Sequence, residues 1–211
     1  MAAHGRAAER SRKRRTLSYE VNSMNNPYLP VGLNVKDRVC VVIGNDREAE
    51  EKSAALSECG ADVRRIGDAA ILSDDDVRDS FLVISTPQDD ALSARLRALA
   101  DRERFLLCCI DQPKRGFVAM LAIAKAGPVR VAISTAGFAP RIGKLIKEGL
   151  QRAMDARFAR FAERIAAERD RVRAEHPAPE ELPLRRAAMI DAARGFETDV
   201  AFRYPEWFEN E

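Results

Sequence analysis

A chain of 211 residues, 46% hydrophobic and 32% charged, is globular in composition and long enough to bury a core in one sizeable domain, with or without a smaller appendage. Its net charge of +2 gives no support to a dedicated nucleic-acid binder. The longest apolar runs, such as Phe81-Leu82-Val83-Ile84 and Phe105 to Ile110, fall far short of the roughly 20 residues that a membrane-spanning helix needs.

The four cysteines, Cys40, Cys59, Cys108 and Cys109, have no CxxC spacing, and no apolar signal-peptide core occupies the start. A reducing cytoplasm is therefore expected, without disulfides. Residues 1–26 read as a basic, solvated tail carrying Arg6, Arg10, Arg12, Lys13, Arg14 and Arg15, and Met24 offers an alternative start.

In chain order, Val39 to Ile43 is short, apolar and rich in β-branched residues, which predicts a strand. Glu48 to Glu58 places Ala49, Lys52, Ala55, Leu56 and Cys59 at helical spacing, and Gly60 stops that helix. Val63 to Ile66 and Phe81 to Ser85 read as further strands, and Leu92 to Ala100 as a helix with Leu92, Leu96 and Leu99 on one face. Phe105 to Ile110 makes another strand, ended by Asp111-Gln112-Pro113. Strands alternating with helices, the strands continuously apolar, predict a parallel sheet covered on both faces.

Beyond Pro113 the pattern changes. Val129 to Ser134 alternates as a strand, Thr135-Ala136-Gly137 turns, and Arg141 to Leu150 is a helix with Pro140 just before it. Ala153 to Arg173 reads as one long charged helix whose apolar stripe is Phe158, Phe161, Ile165 and Val172. His176-Pro177-Ala178-Pro179 breaks it, Leu184 to Ala193 is a final helix, and the aromatic end from Phe202 to Phe208 is expected to dock.

Three constellations carry chemistry. Val41-Val42-Ile43-Gly44 followed by a helix is the strand, turn and helix that holds a pyrophosphate, with backbone N–H groups facing the anion. Only Gly44 of the glycine pattern is kept: Asn45 follows it, Asp46 takes the second glycine position and Ala49 the third. A carboxylate there repels a diphosphate and obstructs its approach. Asp68, in Ile66-Gly67-Asp68, is the acidic residue that could hold a ribose, while Arg64 and Arg65 nearby could favour a phosphate.

Asp111 follows a strand and should sit at its carboxyl end, where parallel sheets bind ligands. It could exchange protons or face a metal ion there, or serve as an Asx-turn or cap before Pro113. Cys108 and Cys109 should point to opposite faces of the sheet and pack in the core. The turn Ser134-Thr135-Ala136-Gly137, leading into a helix with Arg141, Lys144 and Lys147, suits an anionic ligand or a plain strand-to-helix connection. With His4 in the tail and His176 in a Pro-rich break, neither a histidine metal cluster nor a Ser-His-Asp triad is expected.

In combination these phrases resemble the precorrin-2 dehydrogenase/sirohydrochlorin ferrochelatase family, the module that also forms the N-terminal half of bifunctional siroheme synthase. The resemblance starts at Pro27-Tyr28-Leu29-Pro30-Val31-Gly32-Leu33-Asn34-Val35-Lys36-Asp37. It runs through Val41 to Gly44, Ala49 to Lys52, Phe81 to Thr86 and Cys109 to Pro113. Its most specific part is Val129-Arg130-Val131-Ala132-Ile133-Ser134-Thr135-Ala136-Gly137-Phe138-Ala139-Pro140, and it covers about residues 27 to 165.

The resemblance implies an α/β fold: a Rossmann-like NAD-binding domain over 27–113, a dimerisation and substrate-site domain over 114–148 and a helical domain over 149–211, assembled as a homodimer. It implies oxidation of precorrin-2 to sirohydrochlorin with NAD, and in some members insertion of Fe2+ to make siroheme. Asp111 falls on the family's catalytic aspartate. Gly44, Asn45, Asp46, Asp68, Ser85 and Thr86 fall at the cofactor, and Ser134, Thr135, Gly137, Arg141 and Lys144 at the substrate; no resident metal ligand is assigned. The chain departs from the family in Gly44-Asn45-Asp46, in Ser85-Thr86-Pro87, and between Val63 and Asp76, where a helix and strand look trimmed. An NAD-independent chelatase or tetrapyrrole carrier, or a non-catalytic scaffold, is the alternative that these departures leave open.

Overall fold

The computed structural model describes residues 28–209, so the expected basic tail lies outside the described residues. Four parallel strands form a sheet in the order β2-β1-β3-β4: β1 Val39–Ile43, β2 Asp62–Ile66, β3 Leu82–Ser85 and β4 Leu106–Cys109. Three of them supply almost wholly buried side chains, as a sheet covered on both faces requires. On one face helix α2 (Asp90–Glu103) brings Leu92, Leu96 and Leu99 against Val41, Ile43, Val83, Leu107 and Cys109. On the other, helix α1 (Arg47–Glu58) brings Ala49 and Leu56 toward Cys40, Val42, Leu82, Ile84 and Cys108. The adjacent cysteines thus go to opposite faces, as the period-two alternation of a strand dictates.

Between β2 and β3 the connection is reduced to two single turns of 3-10 helix, Ala69–Ile71 and Asp74–Asp76. Leu72 and Val77, which follow them, still enter the core. The shortened stretch therefore keeps two apolar anchors while crossing from one strand to the other.

The second part begins with a hairpin, β5 (Ala122–Ala126) against β6 (Val129–Ile133), in register from Ala122 opposite Ile133 to Ala126 opposite Val129. The sequence reading has β6 but not β5. Ala122-Ile123-Ala124-Lys125-Ala126 is poor in β-branched residues, and its strand character comes from pairing and from burying Ala124 and Ala126. The Gln151 side-chain amide accepts from the Lys125 N–H at 3.1 Å and donates to its carbonyl at 2.9 Å, so it completes part of the β5 edge.

Helix α3 (Pro140–Ala153) ends at Met154, and α4 (Ala156–Glu175) starts afresh because the Asp155 carboxylate accepts from the Phe158 N–H at 2.8 Å. The expected apolar stripe holds: Phe158, Phe161 and Ile165 are partly covered and Val172 is buried. Helix α5 (Leu182–Ala192) folds back on α4, with Arg185 donating to the carbonyls of His176 and Ala178. Phe196 stacks on Phe161 at 4.9 Å.

The aromatic end departs from expectation. Phe202, Tyr204, Trp207 and Phe208 stay exposed within the single chain, and the last three pack on one another around the single-turn helix α6 (Glu206–Glu209). Tyr204 and Trp207 each contact the Phe208 ring, at 5.2 and 5.8 Å, where docking onto the body of the chain was expected.

Candidate functional site

The turn after β1 has the backbone of a nucleotide site. Gly44 is buried at φ +128°, and a Cβ there would lie 2.1 Å from Thr86 Oγ1, so only glycine fits. Ala49 at the third position is fully buried and lets α1 approach the sheet. Gly67, at the end of β2, would place a Cβ 3.8 Å from the Asn45 Cβ, so β2 and the turn stand close together. Arg65 donates to the Gly44 carbonyl at 3.2 Å and brings a guanidinium to the turn.

Asp46 is the N-cap of α1. Its Oδ1 accepts from the Ala49 N–H at 2.8 Å, and its Oδ2 accepts from the Thr86 hydroxyl at 2.6 Å. The Thr86 hydroxyl and then the Ala49 N–H lower the Asp46 carboxyl below its ordinary value, and Arg65 adds to the effect. Asp46 is therefore an anion, seated where the helix N-terminus favours one. Of the other expected cofactor residues, Asp68 caps the first 3-10 turn by accepting from the Ala70 N–H at 2.8 Å. Ser85 is fully buried with no hydrogen-bond partner for its Oγ.

Asp111 lies just past β4 in the left-handed region, φ +59°, a conformation aspartate tolerates. It is exposed and accepts from Gln88 Nε2 at 2.9 Å. An open cavity of about 530 Å³ surrounds it, lined also by Asp90, Gln112, Pro113, Lys114 and Arg115. Helix α2 fixes this loop: Gln112 donates to Asp90 at 3.2 Å and accepts from the buried Ser93 hydroxyl, while Arg97 lies 3.9 Å over the Phe117 ring. Gln88, Lys114 and Arg115 were not singled out in the sequence. Gln88 had no motif to mark it, whereas Lys114 and Arg115 stand immediately after the Asp111-Gln112-Pro113 phrase.

The Ser134 to Lys144 group forms a separate feature. Ser134 Oγ accepts from the Ala136 N–H at 3.3 Å, and Ala136 and Gly137 both have positive φ. Gly143 is buried beneath Thr135, whose Cγ2 would meet a Cβ at 3.2 Å, so the turn packs onto the first turn of α3. No side chain caps α3, and Arg141 and Lys144 are exposed beside its N-terminus. None of these residues lines the Asp111 cavity.

Burial raises the Cys108 thiol to about 11 and also raises that of Cys109, so neither is a thiolate at neutral pH. Among the described residues, no group of three or more His, Cys, Asp or Glu side chains is placed to hold a metal ion, and no helix is long and apolar enough to cross a membrane.

The Gly44 turn, the parallel sheet and a carboxylate at the end of β4 define a Rossmann-type nucleotide-binding module, and residues 31–122 match a family model described as putative NAD(P)-binding. Siroheme synthases from Nitrosococcus oceani and Escherichia coli are 26% and 27% identical over 164 residues, 69% of this chain. The chain spans about a third of the length of these curated relatives, 35% and 36%. A solved precorrin-2 dehydrogenase superposes with a TM-score of 0.63, covering 80% of this chain and 90% of that one at 18% identity, a likeness of fold. The chain is thus similar in sequence to siroheme synthases and in fold to a precorrin-2 dehydrogenase.

Proposed function

We propose that the protein oxidises precorrin-2 to sirohydrochlorin with NAD as hydride acceptor. One observation carries the reading: the segment Thr86-Pro87-Gln88 links the nucleotide turn to the candidate base, Thr86 donating to Asp46 and Gln88 to Asp111. The nucleotide turn after β1 and the candidate base after β4 then flank the end of β3, on the carboxyl edge where a parallel sheet places ligands.

The residues at the turn fit a dinucleotide in backbone and in the cation Arg65, although Asp46 already holds one helix donor. Gly44, Asn45, Arg65 and Thr86 would hold NAD, with Asp68 toward the ribose. The cofactor supplies the hydride acceptor. Asp111 takes the proton that leaves as the ring is oxidised, Gln88 orients its carboxylate, and Lys114 and Arg115 meet substrate carboxylates. Ser134, Thr135, Gly137, Arg141 and Lys144 fit the same carboxylates, and a homodimer would let one protomer's turn approach its partner's cavity. Insertion of Fe2+ as a substrate would use the same base, since metal entry displaces ring N–H protons. The four cysteines are free and suit a cytoplasmic setting.

The test is purified protein with precorrin-2 and NAD+, read by NADH absorbance and by the sirohydrochlorin spectrum. Asp111→Ala is expected to lower turnover roughly 100-fold or more. Absence of wild-type turnover, or full turnover in the variant, overturns the reading. The Asp46 carboxylate on the helix N-terminus favours a second reading, a chelatase or tetrapyrrole carrier that works without NAD; it requires tetrapyrrole binding with no measurable NAD+ affinity.

A further inference from the structure

The position that a second glycine would leave open beneath a diphosphate is filled here by a carboxylate with two partners of its own. Asp46 Oδ1 takes the Ala49 N–H and Oδ2 takes the Thr86 hydroxyl, groups that an incoming diphosphate would otherwise use. Glu48 and Glu50 add carboxylates to the same first turn of α1. Glu48 pairs with Lys52 at 3.1 Å, and Arg65 is the cation that bears on Asp46. The turn thus has its backbone shape prepared and its anion already in place.

We propose that Asp46 and Thr86 form a latch on the dinucleotide site, in which the Asp46 carboxylate stands in for the diphosphate and must swing off the helix N-terminus before a dinucleotide can bind. The inference rests on the reading of residues 31–122 as an NAD site. Binding is then a replacement of one anion by another at the same donors, so the affinity measured is the intrinsic affinity reduced by the population of the unlatched state. The latch also connects the two halves of the site. When Asp46 leaves, the Thr86 hydroxyl keeps only the Ile43 carbonyl, at 3.3 Å, as an acceptor, and Thr86 lies two residues before the Gln88 that holds Asp111.

The full chain is titrated calorimetrically with NAD+ as wild type, Asp46→Gly and Asp46→Asn. Glycine is itself a tolerated N-cap and asparagine a good one, so both variants should fold, which circular dichroism checks. The latch predicts at least tenfold tighter NAD+ binding by Asp46→Gly than by wild type, with Asp46→Asn between them, because asparagine keeps the cap and loses the charge. Measurable wild-type binding with equal or weaker binding by Asp46→Gly overturns the latch and leaves the cofactor reading standing. Binding by none of the three overturns the cofactor reading and the latch with it.

Discussion

Ser85 ends β3 with its Oγ fully buried and without a hydrogen-bond partner, on the face of the sheet where Val83 meets α2. An unsatisfied buried hydroxyl is costly, roughly 1–3 kcal/mol. Ser85→Ala should therefore be neutral or stabilising by about 1 kcal/mol in chemical denaturation. A loss of stability instead would show that the hydroxyl has a partner when the protein is in solution. Gly44 is the opposite case, a residue defined by what cannot be added to it. Gly44→Ala forces a side chain into φ +128° and against Thr86 Oγ1, and should cost at least roughly 1–3 kcal/mol from the backbone alone. Adding Thr86→Ala to it removes the contact but not the strain, so only part of the loss should return.

At the scale of elements, legibility followed burial. The strands β1, β3 and β4 and the helices α1 and α2 were readable because their apolar residues are continuous or recur at helical spacing, a pattern that burial on two faces demands. Strand β5 was not, because alanine carries little preference and the strand exists through its partner β6 and through Gln151. The single helix expected from Ala153 to Arg173 instead starts at Ala156, as Asp155 acts through a cap that hydrophobic periodicity does not register. In the site, Asp111 was legible from its place after a strand, while Gln88 was not, because it reaches Asp111 across the gap between β3 and β4. The hairpin itself offers a test. Gly127 turns at φ +52°, and a Cβ there would lie 3.1 Å from the Ala159 carbonyl oxygen. Gly127→Ala should loosen the hairpin from α4, seen as faster amide exchange across β5 and β6 with the parallel sheet unchanged.

Across the whole molecule, Glu58 at the end of α1 reaches the hairpin and bonds both Lys125 and Arg130, the latter at 3.1 Å. It joins the sheet that carries the nucleotide turn to the part that carries Ser134 and α3. The Lys125 hydrogen bond and charge, and then Arg130, lower the Glu58 carboxyl below its ordinary 4.5. The sign follows from linkage: a carboxyl that is more acidic when folded contributes its stability fully above the unfolded value, and loses it as pH falls through the folded one. All three side chains are partly exposed, so the contribution is modest and screened by salt. Glu58→Gln should thus lower the melting temperature at neutral pH and low salt, with the difference from wild type shrinking as pH drops below 4.5 or salt rises. A difference that stays constant down to pH 3 would mean that Glu58 acts through packing and not through its charge.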